Sequence, residues 1–314
     1  MSDSISRRDL LRSVALSAAG LGLVACQRPN ADARAPESDG ATQVGPDEAR
    51  LAAWASTLRT EGVAQARVPL GRSATRVGEL AIGTPYEAFT LEAYLRAGGS
   101  PSRTEPLTLS LTKFDCVSLV ESCLAVSRVA DDPGAPTWDS FGTEMERMRY
   151  RGGVRGGYTS RLHYFSEWIT DGAKRGLYKE LGAELGGIED SRPLRFMTEH
   201  RASYPALADD GVYREIGEME RTLDAQPRRI IPTARIPELA DRIETGDVLA
   251  FATAIPGLDV THAAFAYRDP AGVLRVLHAP LSGGVVEITR ATLPEYVAAI
   301  RRSTGILVAR PLRA

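Results

Sequence analysis

Cys116 stands at a boundary in the chain. A polar approach ends in Asp115-Cys116, and an apolar repeat then begins with Val117, Val120 and Leu124. Spacings of three and four predict the buried face of an amphipathic helix. Cys116 then occupies the first turn, where unpaired backbone N–H groups and the positive end of the helix dipole favour an anion. A thiol so placed is expected to have a lowered pKa and to act as a thiolate nucleophile. The same N–H groups could hold a developing oxyanion. The competing reading is a small buried residue. Cys123, deep among apolar neighbours on the same helix, is read that way.

A nucleophilic thiol needs a base, and at neutral pH that base is histidine. The chain has four histidines: His163, His200, His262 and His278. Gly246-Asp-Val-Leu-Ala-Phe-Ala252 reads as a turn feeding a buried strand. Thr261-His262-Ala-Ala-Phe-Ala-Tyr267 reads as a strand opening on histidine. Val273-Leu-Arg-Val-Leu-His278 reads as one ending on histidine. Asp269, Pro270 and Gly272 separate the last two, which is a hairpin signal. In an antiparallel hairpin the start of one strand lies beside the end of the next. His262 and His278 are therefore expected at one end of the sheet, supplying a base and a polar group that orients it.

The elements that must position these groups follow from periodicity. Helices are expected from Pro46 to about Gly62, from Ser73 to Ile82, from the Cys116 turn to about Val129, and from Trp138 to Met148. Others are expected over Thr159–Ile169, Ile236–Ile243 and Leu293–Ile300. Strands are expected near Arg228–Pro232, Val285–Thr289 and Thr304–Val308. Residues 171–228 read as an irregular insert that could cap a cleft. A helical half followed by antiparallel strands gives the class α+β.

These motifs resemble the NlpC-type branch of papain-like cell-wall cysteine peptidases and amidases. Within it the chain looks like the N-acetylmuramoyl-L-alanine amidase-like family. The similarity rests on Gly83-Thr-Pro-Tyr-Glu-Ala-Phe-Thr-Leu-Glu92, Phe114-Asp-Cys-Val-Ser-Leu-Val-Glu121, Arg161-Leu-His-Tyr-Phe-Ser-Glu-Trp168 and the two histidine strands. It spans roughly residues 70–312. The superfamily's usual Asp-Cys-Ser-Gly run is Asp115-Cys-Val-Ser118 here.

The resemblance implies a papain-like fold in which Cys116 attacks an amide, His262 moves the proton and His278 orients His262. It implies that Thr84 and Tyr86 meet substrate beside the thiolate. Arg161 and His163 could meet an anionic sugar-peptide ligand, or could serve only structure. His200 is read as non-functional. The implied reaction is hydrolysis of the N-acetylmuramoyl-L-alanine amide of peptidoglycan or muropeptides. The alternatives are cleavage between D-Glu and a diamino acid in the stem peptide, or peptidoglycan binding without turnover.

The N-terminus reads as a targeting segment. Ser6-Arg7-Arg8-Asp9-Leu10-Leu11 resembles a twin-arginine export motif. The apolar run after it is too short to span a bilayer. It ends in Leu23-Val24-Ala25-Cys26, which looks like a bacterial lipobox with Cys26 acylated. Residues 27–46, rich in Ala, Pro, Asp and Gly, read as a flexible tether. One catalytic domain is expected over 47–314, in a monomer anchored in the periplasm through its lipid. With Cys26 acylated and Cys116 required free, no structural disulfide is expected. Net charge is −2 and pI about 6.2, which gives no nucleic-acid footprint. No cofactor is expected, and the histidine spacing offers no zinc site.

Overall fold

The computed structural model describes residues 45–280 and 284–313. The export motif, Cys26 and nearly all of the tether lie outside the described residues. In the helical half, α1 (Pro46–Thr60), α2 (Leu70–Leu80) and α4 (Trp138–Arg149) pack around α3 (Cys116–Asp131). Helix α1 starts with Pro46 at its first position and Asp47 and Glu48 in its first turn, which suits the dipole. It buries Leu51, Trp54, Ala55 and Leu58, spaced along one helical face. Helix α3 is enclosed on nearly every side, since Leu119 to Val126 are all buried. Even its Glu121 is buried, tied by an ion pair of 2.8 Å to Arg149 of α4.

The strands form one eight-stranded antiparallel sheet. They are β1 (Tyr178–Glu180), β2 (Ile188–Asp190), β3 (Arg228–Pro232), β4 (Val248–Thr253), β5 (Val260–Arg268), β6 (Leu274–His278), β7 (Glu287–Ile288) and β8 (Ser303–Pro311). Their order is β2-β3-β8-β4-β5-β6-β7, with β1 also on β8. The two-residue period of a strand divides the core into layers. Val248, Ala250, Ala252, Ala263 and Phe265 join the α1–α4 side. Leu249, Phe251, Ala264 and Ala266 face the other layer, with Leu293 and Val297 of α7 (Leu293–Ala299). The hairpin of β5 and β6 forms as expected, with Asp269 N–H and Val273 C=O closing its turn at 2.9 Å.

Two stretches differ from the sequence expectation. Helix α5 spans Phe165–Lys174 and begins later than the expected Thr159. Arg161 is extended instead, because it bridges to Tyr150. The Asp259 carboxylate accepts from Ser166 N–H at 2.8 Å and so fixes the helix start. Residues 171–228 are also more regular than read. They supply β1 and β2 to the sheet and the fifteen-residue α6 (Asp210–Asp224). Val212, Ile216, Met219 and Leu223 of α6 join Tyr158, Tyr164 and Leu194 in a core of their own.

Gly246 is required where the chain turns into β4. Its φ is +94°, and a Cβ there would lie 2.1 Å from the Gly71 carbonyl carbon of α2. Gly246→Ala is expected to destabilise the protein by at least about 2 kcal/mol, read from the midpoint of urea unfolding. A loss within about 0.5 kcal/mol, as for an ordinary surface change, would contradict this packing.

Candidate active site

Asp115 is extended and caps α3. Its Oδ1 accepts from Ser118 N–H at 2.7 Å, and Ser118 Oγ accepts from Asp115 N–H at 2.8 Å. This reciprocal box leaves the N–H groups of Cys116 and Val117 for the sulfur, which also takes the N–H of Ala263 on β5. The residue is only half-buried, yet enough protein surrounds the sulfur for burial to dominate its ionisation. Burial first, and the Asp115 charge second, push the thiol up to about 12 against the three N–H groups. This reverses the expectation of a lowered pKa. Desolvation of the thiolate outweighs the helix N-terminus. Cys123 is a buried free thiol, also raised by burial.

The two histidines of the hairpin meet. His262 Nε2 and His278 Nδ1 are 2.8 Å apart. Both rings are buried. Phe251 stacks on His262 at 5.5 Å between centroids. Tyr296 of α7 meets His278 edge-on at 5.2 Å. Burial, and then His278, push His262 down to about 3. Burial pushes His278 down to about 4. Both imidazoles are therefore neutral at pH 7. Among the described residues, His262 Nδ1 is buried without a hydrogen-bond partner. The next residue, Ala263, donates its N–H to the Cys116 sulfur. A neutral thiol thus lies beside a strand whose histidine has a free ring nitrogen. A thiol and a neutral imidazole are the two groups that a proton-coupled attack of sulfur on a carbonyl requires.

Tyr86 forms one wall. Its N–H donates to Gly284 C=O at 2.9 Å, and its backbone bridges Phe114 just before the cap. Burial raises its phenol, and the nearby Cys116 and Asp115 charges raise it further. Thr84 is behind this wall and only 3% exposed. Its hydroxyl accepts from Arg50 Nη1 at 3.0 Å, and Arg50 also binds Leu111 C=O. Thr84 thus anchors the segment that carries Tyr86.

Arg161 and His163 have partners within the protein. Arg161 is buried, 2.7 Å from Glu92 and 3.1 Å from Glu105, with its guanidinium 4.9 Å from the Tyr158 ring. His163 Nε2 lies 2.8 Å from Tyr158 C=O, and burial holds its pKa well below normal. His200 bonds Phe196 C=O through Nδ1 at 2.7 Å. The groups that sequence reasoning missed are Phe251, Glu287 and Tyr296. No local motif marks them, since each reaches the histidines through sheet pairing or packing.

Two outcomes are expected. Because the thiol is raised and the imidazoles are neutral, iodoacetamide should label Cys116 slowly at pH 7 in the free protein. Labelling should rise steadily with pH and not level off below about 12. Rapid labelling at pH 6, as from a thiolate–imidazolium pair, would refute the neutral resting state. Arg161→Met should destabilise the fold by roughly 3–5 kcal/mol, because Glu92 and Glu105 lose a buried partner. Thermal and urea unfolding would measure it. A stable variant with weakened ligand binding would instead give Arg161 a surface role.

Residues 76–306 match the model of a family described as N-acetylmuramoyl-L-alanine amidase-like. A crystal structure of an N-acetylmuramoyl-L-alanine amidase from Bacteroides uniformis is 29% identical, with a TM-score of 0.70 over 78% of this chain and 99% of its own. A Bacteroides fragilis protein provisionally called a xylanase is 30% identical, with a TM-score of 0.66 over 74% of this chain and 98% of its own. A Legionella pneumophila protein shares the fold at 19% identity, with a TM-score of 0.61 over 85% and 94% of the two chains. No curated protein matches the sequence. The chain, an α+β protein with an antiparallel sheet, belongs to the N-acetylmuramoyl-L-alanine amidase-like family.

Proposed function

We propose that the protein is a cysteine-dependent amidase of the NlpC-type, papain-like superfamily that cleaves the N-acetylmuramoyl-L-alanine amide of peptidoglycan or muropeptides. The observation that carries the reading is the 2.8 Å contact of His262 and His278 at the strand whose Ala263 N–H reaches the Cys116 sulfur. Family membership supports the amidase chemistry.

In this mechanism the Cys116 proton passes to His262 Nδ1 as the sulfur attacks the amide carbonyl. Attack and proton transfer are coupled, because burial disfavours an isolated thiolate. The N–H groups of Cys116 and Val117 receive the tetrahedral oxyanion. His262 then returns the proton to the leaving amine, and water hydrolyses the thioester. His278 supports the imidazolium through its 2.8 Å contact. Tyr86 flanks the acyl group. A peptidoglycan substrate accords with a location in the cell envelope. The twin-arginine-like motif and the Leu23-Val24-Ala25-Cys26 run support export to the periplasm and a lipid anchor on Cys26.

Mass spectrometry of defined muropeptides incubated with the chain, beside its Cys116→Ala variant, tests this. The expected product is a free peptide beginning with L-Ala. The variant should lose on the order of 10⁴-fold or more in turnover. Release of a muramyl dipeptide would replace the reading with a stem-peptide endopeptidase. No Cys116-dependent product would favour a binding protein.

A further inference from the structure

The tautomer of His278 decides whether His262 can act as a base. If His278 held its proton on Nδ1, it would donate across the 2.8 Å contact to His262 Nε2. His262 would then carry its own proton on Nδ1 and could accept none from sulfur. With the His278 proton on Nε2, His262 donates through Nε2 and its Nδ1 keeps a lone pair.

Two neighbours contact the His278 ring. Glu287 Oε1 lies 3.7 Å from His278 Nε2, just beyond hydrogen-bond length, and among the described residues Nε2 is buried without a hydrogen-bond partner. The approach is built into the sheet, because His278 and Glu287 are direct partners across β6 and β7. On the other side of the ring, Tyr296 Oη lies 3.3 Å from Nδ1, which His262 Nε2 meets more closely at 2.8 Å. A carboxylate only accepts, so it favours a proton on Nε2, while the phenol, able to donate or accept, fits either tautomer. His262 of β5 meets the same ring at Nδ1.

We propose that Glu287 is a positioning residue whose carboxylate holds the His278 proton on Nε2 and thereby gives His262 the tautomer able to take the Cys116 proton. The proposal rests on the cysteine amidase reading. Because burial keeps both rings neutral, the position of the proton rather than the charge is the variable. The Glu287 side chain is 53% exposed, so its replacement leaves the core intact.

The test has two arms. Long-range proton–nitrogen NMR of the ¹⁵N-labelled chain reads the His278 tautomer without substrate. The wild type should show the Nε2–H form, Glu287→Leu a shift toward Nδ1–H, and Glu287→Asp a partial return. In muropeptide turnover, Glu287→Leu should lower kcat roughly tenfold, the worth of one pK unit, with KM unchanged. In a His278→Gln background the same substitution should have no further effect. An unchanged tautomer in Glu287→Leu, or an equal loss in that background, would overturn the proposal. A tautomer shift in a chain that turns over no muropeptide would support the proposal and count against the amidase reading alone.

Discussion

The site depends on how closely the first turn of α3 approaches β5. The Ala263 N–H reaches the Cys116 sulfur, and the Ala263 side chain, small and buried, shares the core layer of α3. Behind the turn, α3 has little freedom to shift. Its apolar residues are enclosed, and the buried Glu121–Arg149 pair fastens it to α4. Removing one partner of such a pair leaves a buried charge uncompensated, which makes the joint costly to break. The thiol is thus held by the core as well as by its own helix.

That close seat has an electrostatic consequence. The enclosure that fixes the groups also removes water from the charged forms of the thiol and both imidazoles, so the resting site is neutral. The N–H groups at the start of α3 act against this but do not overcome it. Their larger effect belongs to the moment of attack, when negative charge moves onto the carbonyl oxygen. A neutral resting state also places weight on tautomers, because a ring that is uncharged can still present the wrong nitrogen.

The segment between α5 and β3 supports the site from a distance. Its α6 builds a separate core on Tyr158 and Tyr164, and its β1 and β2 widen the sheet. Arg161 links this region to the 92–105 stretch through Glu92 and Glu105. The buried arginine therefore reads as a clamp between loops. A motif that looked like ligand recognition in sequence is satisfied inside the protein.

By itself, the sequence determined the helix at Cys116, the hairpin that joins His262 to His278, and the α+β class. All of these are written in local periodicity and turn residues. Helix α6 was missed in the segment read as irregular, although Val212, Ile216, Met219 and Leu223 keep a helical spacing. Tertiary structure alone decided the rest. Burial depends on residues distant in sequence, so the direction of the thiol's shift could not be read from its place on a helix. Nor could local spacing show that Arg161 and Thr84 spend their polar atoms on Glu92, Glu105 and Arg50. Glu287 and Tyr296 reach His278 through strand register and helix packing, which only the folded chain supplies.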